Sequence, residues 1–182
     1  MNLPNKLTVL RVILIPFFAA SLLITFPGHI WAALFFFAAA SVTDWFDGKI
    51  ARKNNLVTNF GKFLDPLADK MLVMAALVCF TAVGLCDPVA VIIILAREFM
   101  VSGLRLVTAN EGIVVAAGIW GKLKTAFTMI AIVAIMALAA IFGHVPAVHV
   151  ISEILIWISV VFTVISGGIY LKEYWSFIDP NK

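Results

Sequence analysis

Long apolar stretches separated by short polar breaks dominate the chain. Six of them are long enough to cross a hydrocarbon core of about 30 Å as helices. They lie at 7–26, 30–51, 62–85, 88–108, 122–143 and 150–171. Helix-ending residues such as Pro27-Gly28 and Asp87-Pro88 stand in the breaks. This pattern predicts an all-α, polytopic membrane protein with six transmembrane helices, organised as a single membrane domain over 1–182.

The composition supports a membrane protein and argues against a nucleic-acid binder. Hydrophobic residues make up 63% of the chain and charged residues 13%, whereas about a quarter of a soluble domain is charged. The net charge of +3 is spread in short clusters between the apolar stretches, and no basic stripe is present. We therefore expect the lipid bilayer, and no nucleic acid, as the partner of this surface.

The lysines and arginines predict the orientation of the chain in the membrane. With the N-terminus inside, three connections face outward, and they contain no Lys or Arg. The inward zones and adjoining helix ends contain Lys6, Arg11, Lys49, Arg52, Lys53, Lys62, Arg105, Lys122, Lys124, Lys172 and Lys182. This asymmetry follows the positive-inside rule. It predicts a multi-pass protein of the cytoplasmic membrane with both termini on the cytoplasmic side.

A signal peptide over the first stretch is disfavoured by Arg11 and Pro16 within it.

Four aspartates lie in or beside apolar stretches, where an ionised carboxylate is costly unless it is compensated. Asp44 and Asp47 are three residues apart, and Asp65 and Asp69 are four apart, so each pair shares a helix face. A short connection brings the two pairs together at the cytoplasmic face. Oxygen ligands without His or Cys favour Mg²⁺ or Mn²⁺. We therefore predict a metal site for phosphoryl transfer. The alternative is simple ion pairing of these aspartates with nearby lysines and arginines.

Residues between the aspartates add to this prediction. Gly48 and Ala51 extend the face of Asp44 and Asp47, which leaves little side chain where a ligand approaches the backbone. Gly61 does the same beside the third stretch. Arg52 lies near Asp47 and has the fork geometry that binds phosphate.

The whole pattern is Asp-x2-Asp-Gly-x2-Ala-Arg-x8-Gly-x3-Asp-x3-Asp, from Asp44 to Asp69. It resembles the signature of the CDP-alcohol phosphatidyltransferases at all eight fixed positions. The resemblance implies an enzyme that transfers a phosphatidyl group from a CDP-linked lipid and releases CMP. It also implies two divalent cations, Mg²⁺ or Mn²⁺, on Asp44, Asp47, Asp65 and Asp69, with Asp69 as general base. Relatives in this family are often homodimers, so we expect a homodimer.

The same resemblance implies a binding site for the CDP-linked lipid. Its candidate residues are Asn5, Thr8, Gly48, Ala51, Arg52, Thr58 and Gly61. For Asn5 and Thr8 an alternative is open, in which they form an interfacial turn and Thr8 caps the first helix.

Cations in the second half of the chain indicate whether the acceptor carries a phosphate. Arg97, Arg105, Lys122 and Lys124 form a predicted anion pocket facing the metal ions, which a phosphorylated acceptor requires and a neutral alcohol does not. On an ideal helix Lys122 and Lys124 point about 200° apart, so we expect at most one of them to face the pocket. The alternative is an Arg97–Glu98 pair with both lysines extended to the lipid headgroups.

The segment from Asn55 to Lys70 and these cations most resemble the bacterial family members that make phosphatidylglycerophosphate. That implies CDP-diacylglycerol and glycerol 3-phosphate as substrates. Alternatives within the family are inositol phosphate as acceptor, or phosphatidylglycerol as in a cardiolipin synthase. An ion-coupled transporter is the alternative from another class, although a transporter is expected to place carboxylates at the bilayer midplane.

Overall fold

The computed structural model describes residues 2–53, 58–110 and 118–175, and helices account for nearly all of them. The helices are α1 (Leu3–Leu23), α2 (His29–Lys53), α3 (Asn59–Ala82), α4 (Pro88–Asn110), α5 (Ile119–Phe142) and α6 (Pro146–Tyr174). The all-α prediction is therefore confirmed, and each predicted stretch corresponds to one helix. Helices α1, α5 and α6 are long and apolar enough to cross a membrane. Charged residues interrupt the apolar stretches of α3 and α4 near their middles, at Asp69-Lys70 and Arg97-Glu98, and they also fall in the last ten residues of α2.

Side-chain caps fix where two of the helices begin. Asn2 caps α1 by accepting a hydrogen bond from the backbone N–H of Asn5 at 3.1 Å. Thr8 therefore lies within α1, and the alternative that it caps this helix is wrong. Thr58 caps α3 by accepting from the backbone N–H of Gly61 at 3.0 Å. Each cap satisfies a donor that would otherwise lack an intrahelical partner.

The helices form one bundle. Helix α1 packs against α2 and α3, and α6 packs against α4 and α5. The main core includes Phe18, Phe37, Phe80, Ile135 and Ile156, all fully buried. A smaller cluster consists of Val101, Leu104 and Tyr170.

We call the end of the bundle where α1, α3 and α5 begin the site end, because the charged side chains discussed below lie there. At the opposite, far end, a smaller cavity of about 350 Å³ is lined by Val83, Gly84, Leu85, His144, Val145, Pro146 and His149.

Candidate active site

A cavity of about 800 Å³ lies between the two clusters of buried apolar residues. Leu77 and Ile94 of the main core line it on one side, and Val101 and Tyr170 of the smaller cluster line it on the other. Its charged lining consists of Asp44, Asp69, Lys70, Arg97, Glu98, Arg105, Lys122 and Lys124. The structure thus brings two of the predicted metal-binding aspartates into one cavity with all four predicted acceptor cations. We refer to α1–α3 as the carboxylate wall of this site and to α4–α6 as its cationic wall.

Asp44 is held in the carboxylate wall by an arginine from α1. The Arg11 Nη1 atom lies 2.8 Å from Asp44 Oδ1. The Arg11 side chain is fully buried, whereas Asp44 is 46% exposed. A buried guanidinium needs a partner to offset its lost hydration. Arg11 therefore fixes the middle of α1 against α2 near its site end and leaves Asp44 accessible from the cavity. In the sequence Arg11 bore on the orientation and on the signal-peptide alternative, and its contact with Asp44 was not predicted.

Asp65 is held by a second residue of α1. Thr8 Oγ1 donates a hydrogen bond to Asp65 Oδ1 at 2.6 Å. One turn earlier, Asn5 Oδ1 accepts a hydrogen bond from Thr58 Oγ1 at 3.0 Å. Four of the predicted CDP-binding residues, Asn5, Thr8, Thr58 and Gly61, are thereby grouped beside Asp65.

At Gly61 any larger residue would collide with neighbouring side chains. A Cβ atom at this position would lie 3.0 Å from Asn5 Oδ1 and 3.6 Å from Asp65 Oδ2. The first of these distances is too short for an ordinary carbon contact. The glycine therefore permits the close packing of α1 against the start of α3.

The remaining predicted residues of this wall, Asp47, Gly48, Ala51 and Arg52, belong to the last turns of α2. Their side-chain positions lie outside the described part of the structure, so their roles stay predictions. Within the described part, no group of three or more His, Cys, Asp or Glu side chains is close enough to hold a metal ion. The described carboxylates Asp44, Asp65 and Asp69 nonetheless supply only oxygen donors, which fits a hard divalent cation.

The cationic wall contains a carboxylate that joins two of its cations. Arg97 Nη1 and Lys124 Nζ each lie 2.8 Å from Glu98 Oε1. All three side chains are largely buried. The Arg97–Glu98 pair that the sequence offered as an alternative is therefore present. The extension of Lys124 to the headgroups is wrong, because its ammonium group is buried beside Glu98.

Lys122 and Lys124 both belong to the cavity lining. Lys124 is buried beside Glu98, whereas Lys122 is exposed. That at most one of the two ammonium groups faces the pocket therefore stays a prediction.

Tyr170 organises the other half of the cationic wall, and the sequence did not single it out. Its hydroxyl accepts hydrogen bonds from the backbone N–H of Gly118 at 2.9 Å and from Arg105 Nη2 at 3.3 Å. The Cζ atoms of Arg97 and Arg105 lie 5.6 Å and 5.7 Å from the centre of its ring, within range of cation–π attraction. A Cβ on Gly121 would lie 3.3 Å from the hydroxyl, so the start of α5 packs closely on Tyr170.

Comparisons with known proteins identify the family of the chain. The family model described as CDP-alcohol phosphatidyltransferase matches residues 1–165. A CDP-diacylglycerol–glycerol-3-phosphate 3-phosphatidyltransferase of Bacillus subtilis is 45% identical over 194 aligned positions, covering 100% of this chain and 99% of the relative.

Proteins of the same name from two other organisms are also similar. The one from Rickettsia bellii is 40% identical over 171 positions, with 94% of each chain covered. The one from Escherichia coli is 44% identical over 137 positions, covering 72% of this chain and 74% of the relative. The chain belongs to the CDP-alcohol phosphatidyltransferase family.

Proposed function

We propose that this protein transfers the phosphatidyl group of CDP-diacylglycerol to glycerol 3-phosphate, which gives phosphatidylglycerophosphate and CMP. The observation that carries the proposal is the full-length similarity to relatives named for this reaction, with 94% or more of both chains covered in the first two. A cavity with carboxylates on one side and cations on the other suits a reaction between a diphosphate-linked lipid and an anionic acceptor.

Asp44, Asp47, Asp65 and Asp69 are the proposed ligands of two divalent cations, Mg²⁺ or Mn²⁺. When bound, such cations stabilise the charge on the attacking and leaving oxygens of a displacement at phosphorus. Arg11 and Thr8 hold Asp44 and Asp65 in place from α1. Carboxylates that are already oriented lose less conformational freedom on ligand binding.

The donor's CDP group is proposed to bind beside Asp65. Its candidate contacts are Asn5, Thr8, Gly48, Ala51, Arg52, Thr58 and Gly61. Support comes from the grouping of Asn5, Thr8 and Thr58 by hydrogen bonds and from Gly61, which permits α1 to pack closely on the start of α3 beside them. Arg52 supplies a cation for the diphosphate.

In the proposed reaction Asp69 acts as general base. It lines the cavity across from the cations, where it accepts the proton of the primary hydroxyl of glycerol 3-phosphate. The freed oxygen forms a bond to the phosphorus that carries diacylglycerol. The bond from that phosphorus to the bridging oxygen of the diphosphate breaks, and CMP leaves with the electron pair. General base catalysis of this kind typically contributes about a hundredfold to ten-thousandfold to the rate.

The acceptor's phosphate is proposed to bind among Arg97, Arg105, Lys122 and Lys124. All four line the cavity, and Arg105 has a fixed direction because it donates to Tyr170 and lies over its ring. Glu98 compensates only part of this positive charge, and a neutral alcohol would add no negative charge to balance the rest.

We further propose that all six helices of a single domain over 1–182 cross the cytoplasmic membrane. The site end and both termini then lie on the cytoplasmic side. The absence of Lys and Arg from the three outward connections supports this orientation. A homodimer is proposed from the family resemblance.

The test supplies purified protein with CDP-diacylglycerol, Mg²⁺ or Mn²⁺, and one acceptor at a time. We expect glycerol 3-phosphate to release CMP fastest, with phosphatidylglycerophosphate identified by mass spectrometry. Faster release with inositol phosphate, or formation of cardiolipin from phosphatidylglycerol, would overturn the choice of acceptor. Ion or solute flux in vesicles without any CMP release would favour the transporter.

A further inference from the structure

Glu98 links two helices on either side of the cavity. Helix α4 packs against α3 and α6, and α5 packs against α2, α3 and α6. The ion pair between Glu98 Oε1 on α4 and Lys124 Nζ on α5, at 2.8 Å, therefore joins α4 to α5 across the cavity that both line. Because the same oxygen also accepts a hydrogen bond from Arg97 Nη1, one carboxylate fixes a cation on each helix.

These three side chains have little contact with water. Lys124 is 4% exposed, Arg97 10% and Glu98 15%. A charge at such burial is stable only beside an opposite charge. Glu98 supplies that charge to both cations, so one unit of positive charge remains on the trio in an empty cavity.

The same turn of α4 is also tied to α3. Ser102 Oγ donates a hydrogen bond to the backbone carbonyl of Glu98 at 2.5 Å, and Lys70 Nζ donates to Ser102 Oγ. Lys70 directly follows Asp69, the proposed base. The position of Glu98 is therefore connected to the carboxylate wall as well as to α5.

We propose that Glu98 is a positioning residue for the acceptor. Its carboxylate oxygen holds Arg97 Nη1 and Lys124 Nζ, each at 2.8 Å, so that the two cations converge where the phosphate of the acceptor binds. The inference rests on the proposed function, since it takes a phosphorylated acceptor as given. In this role Glu98 acts through Arg97 and Lys124, and not on the donor or the reacting atoms.

The first experiment replaces the charge and keeps the shape, with the variant Glu98→Gln. Glu153→Gln, the same change on α6 away from the cavity lining, is the matched control. The KM for glycerol 3-phosphate is expected to rise about tenfold in Glu98→Gln, the scale of one lost charge-assisted hydrogen bond, while the KM for CDP-diacylglycerol stays within about twofold. The control should leave both unchanged.

Two outcomes overturn the proposal. A fall in the KM for glycerol 3-phosphate would mean that Glu98 competes with the phosphate for its cations. Unchanged kinetic constants together with a lowered Tm would mean that Glu98 serves only stability. Should Glu98→Gln fail to fold in detergent, Glu98→Asp retains the charge on a shorter stem and is expected to show the same selective rise in KM.

A double-variant cycle with Lys124→Gln tests whether Glu98 acts through Lys124. We expect the rise in KM of the double variant to be well below the product of the two single rises. A full product would contradict the proposed route. Wild-type protein is assayed first: if it releases no CMP on addition of glycerol 3-phosphate, the proposed function fails, whereas normal wild-type activity with an unaltered Glu98→Gln variant rejects the Glu98 inference alone.

Discussion

The carboxylate and cationic walls of the cavity are built in the same way but with charges of opposite sign. In each wall a functional charge is held by a partner from another helix: Arg11 holds Asp44, and Glu98 holds Lys124. The walls differ in exposure, since Asp44 is 46% exposed and Lys124 only 4%. Each wall thus compensates part of its charge internally, but Asp44 stays accessible to added cations whereas Lys124 is buried. In the proposed function the carboxylate wall carries out the transfer and the cationic wall selects the acceptor.

Removing the proposed base should have the largest effect. Asp69→Asn preserves the shape of the side chain but cannot accept the acceptor's proton at neutral pH. We expect kcat to fall about a hundredfold to ten-thousandfold, with the KM for glycerol 3-phosphate little changed, as measured by CMP release.

Asp87→Asn is the matched control for this change. Asp87 lies at the far end, where its Oδ1 accepts a hydrogen bond from the backbone N–H of Val89 at 2.8 Å, and asparagine retains that acceptor. Activity of Asp69→Asn within about threefold of wild type would remove Asp69 from the base role, since a general base contributes far more than that.

The next largest effect is expected from the cationic wall. Arg105→Gln removes a guanidinium that the Tyr170 hydroxyl and ring hold in place. We expect the KM for glycerol 3-phosphate to rise about tenfold to a hundredfold, the range for hydrogen bonds to a charged group, with kcat changed much less. Steady-state kinetics with varied acceptor measure this.

The control for Arg105→Gln is Lys172→Gln, which removes an exposed cation in the last turn of α6. A loss that appears in kcat and leaves the acceptor KM intact would contradict the separation of roles between the two walls.

A smaller effect is expected behind the carboxylate wall. Thr8→Val removes the hydrogen bond to Asp65 and keeps the volume of the side chain. Partners that orient a metal ligand typically contribute about tenfold to metal affinity, so the Mg²⁺ concentration for half-maximal activity should rise by about that factor. Thr8→Ser retains the hydroxyl and should behave like wild type. Equal cation dependence in all three proteins would show that Thr8 does not orient Asp65 for cation binding.

The smallest effect is expected at the far end, away from the site. Burial raises the pKa of the Cys86 thiol to about 12. Because this pKa is raised, the folded protein keeps the thiol protonated at pH 8, and the thiolate is the reactive form. We expect intact-mass measurement to find no alkylation by iodoacetamide in folded protein and full alkylation after denaturation. Rapid labelling of folded protein at Cys86 would mean that the far end opens to solvent.

The sequence was sufficient to predict the helices and most of the charged residues that line the cavity. The length of each apolar stretch fixed the six helices, and spacings of three and four residues indicated that the aspartates share helix faces. Arg97 and Arg105 were predicted to belong to the site because a charged side chain within an apolar membrane helix is energetically costly and is usually retained for function.

Contacts between distant helices could not be predicted in the same way. The Thr8–Asp65 bond joins residues 57 positions apart, and the Arg105–Tyr170 bond joins residues 65 apart. No local spacing rule reports such contacts, because they depend on how α1 packs against α3 and how α6 packs against α4.

The central claim is that the carboxylate wall performs the transfer while the cationic wall selects a phosphorylated acceptor. Its most direct test compares kcat/KM for glycerol 3-phosphate with kcat/KM for glycerol, in wild-type protein and in Arg105→Gln. The account predicts a strong wild-type preference for glycerol 3-phosphate that shrinks in Arg105→Gln, with the rate on glycerol unchanged. Equal use of both acceptors by wild-type protein, or an equal loss on both acceptors in Arg105→Gln, would contradict it.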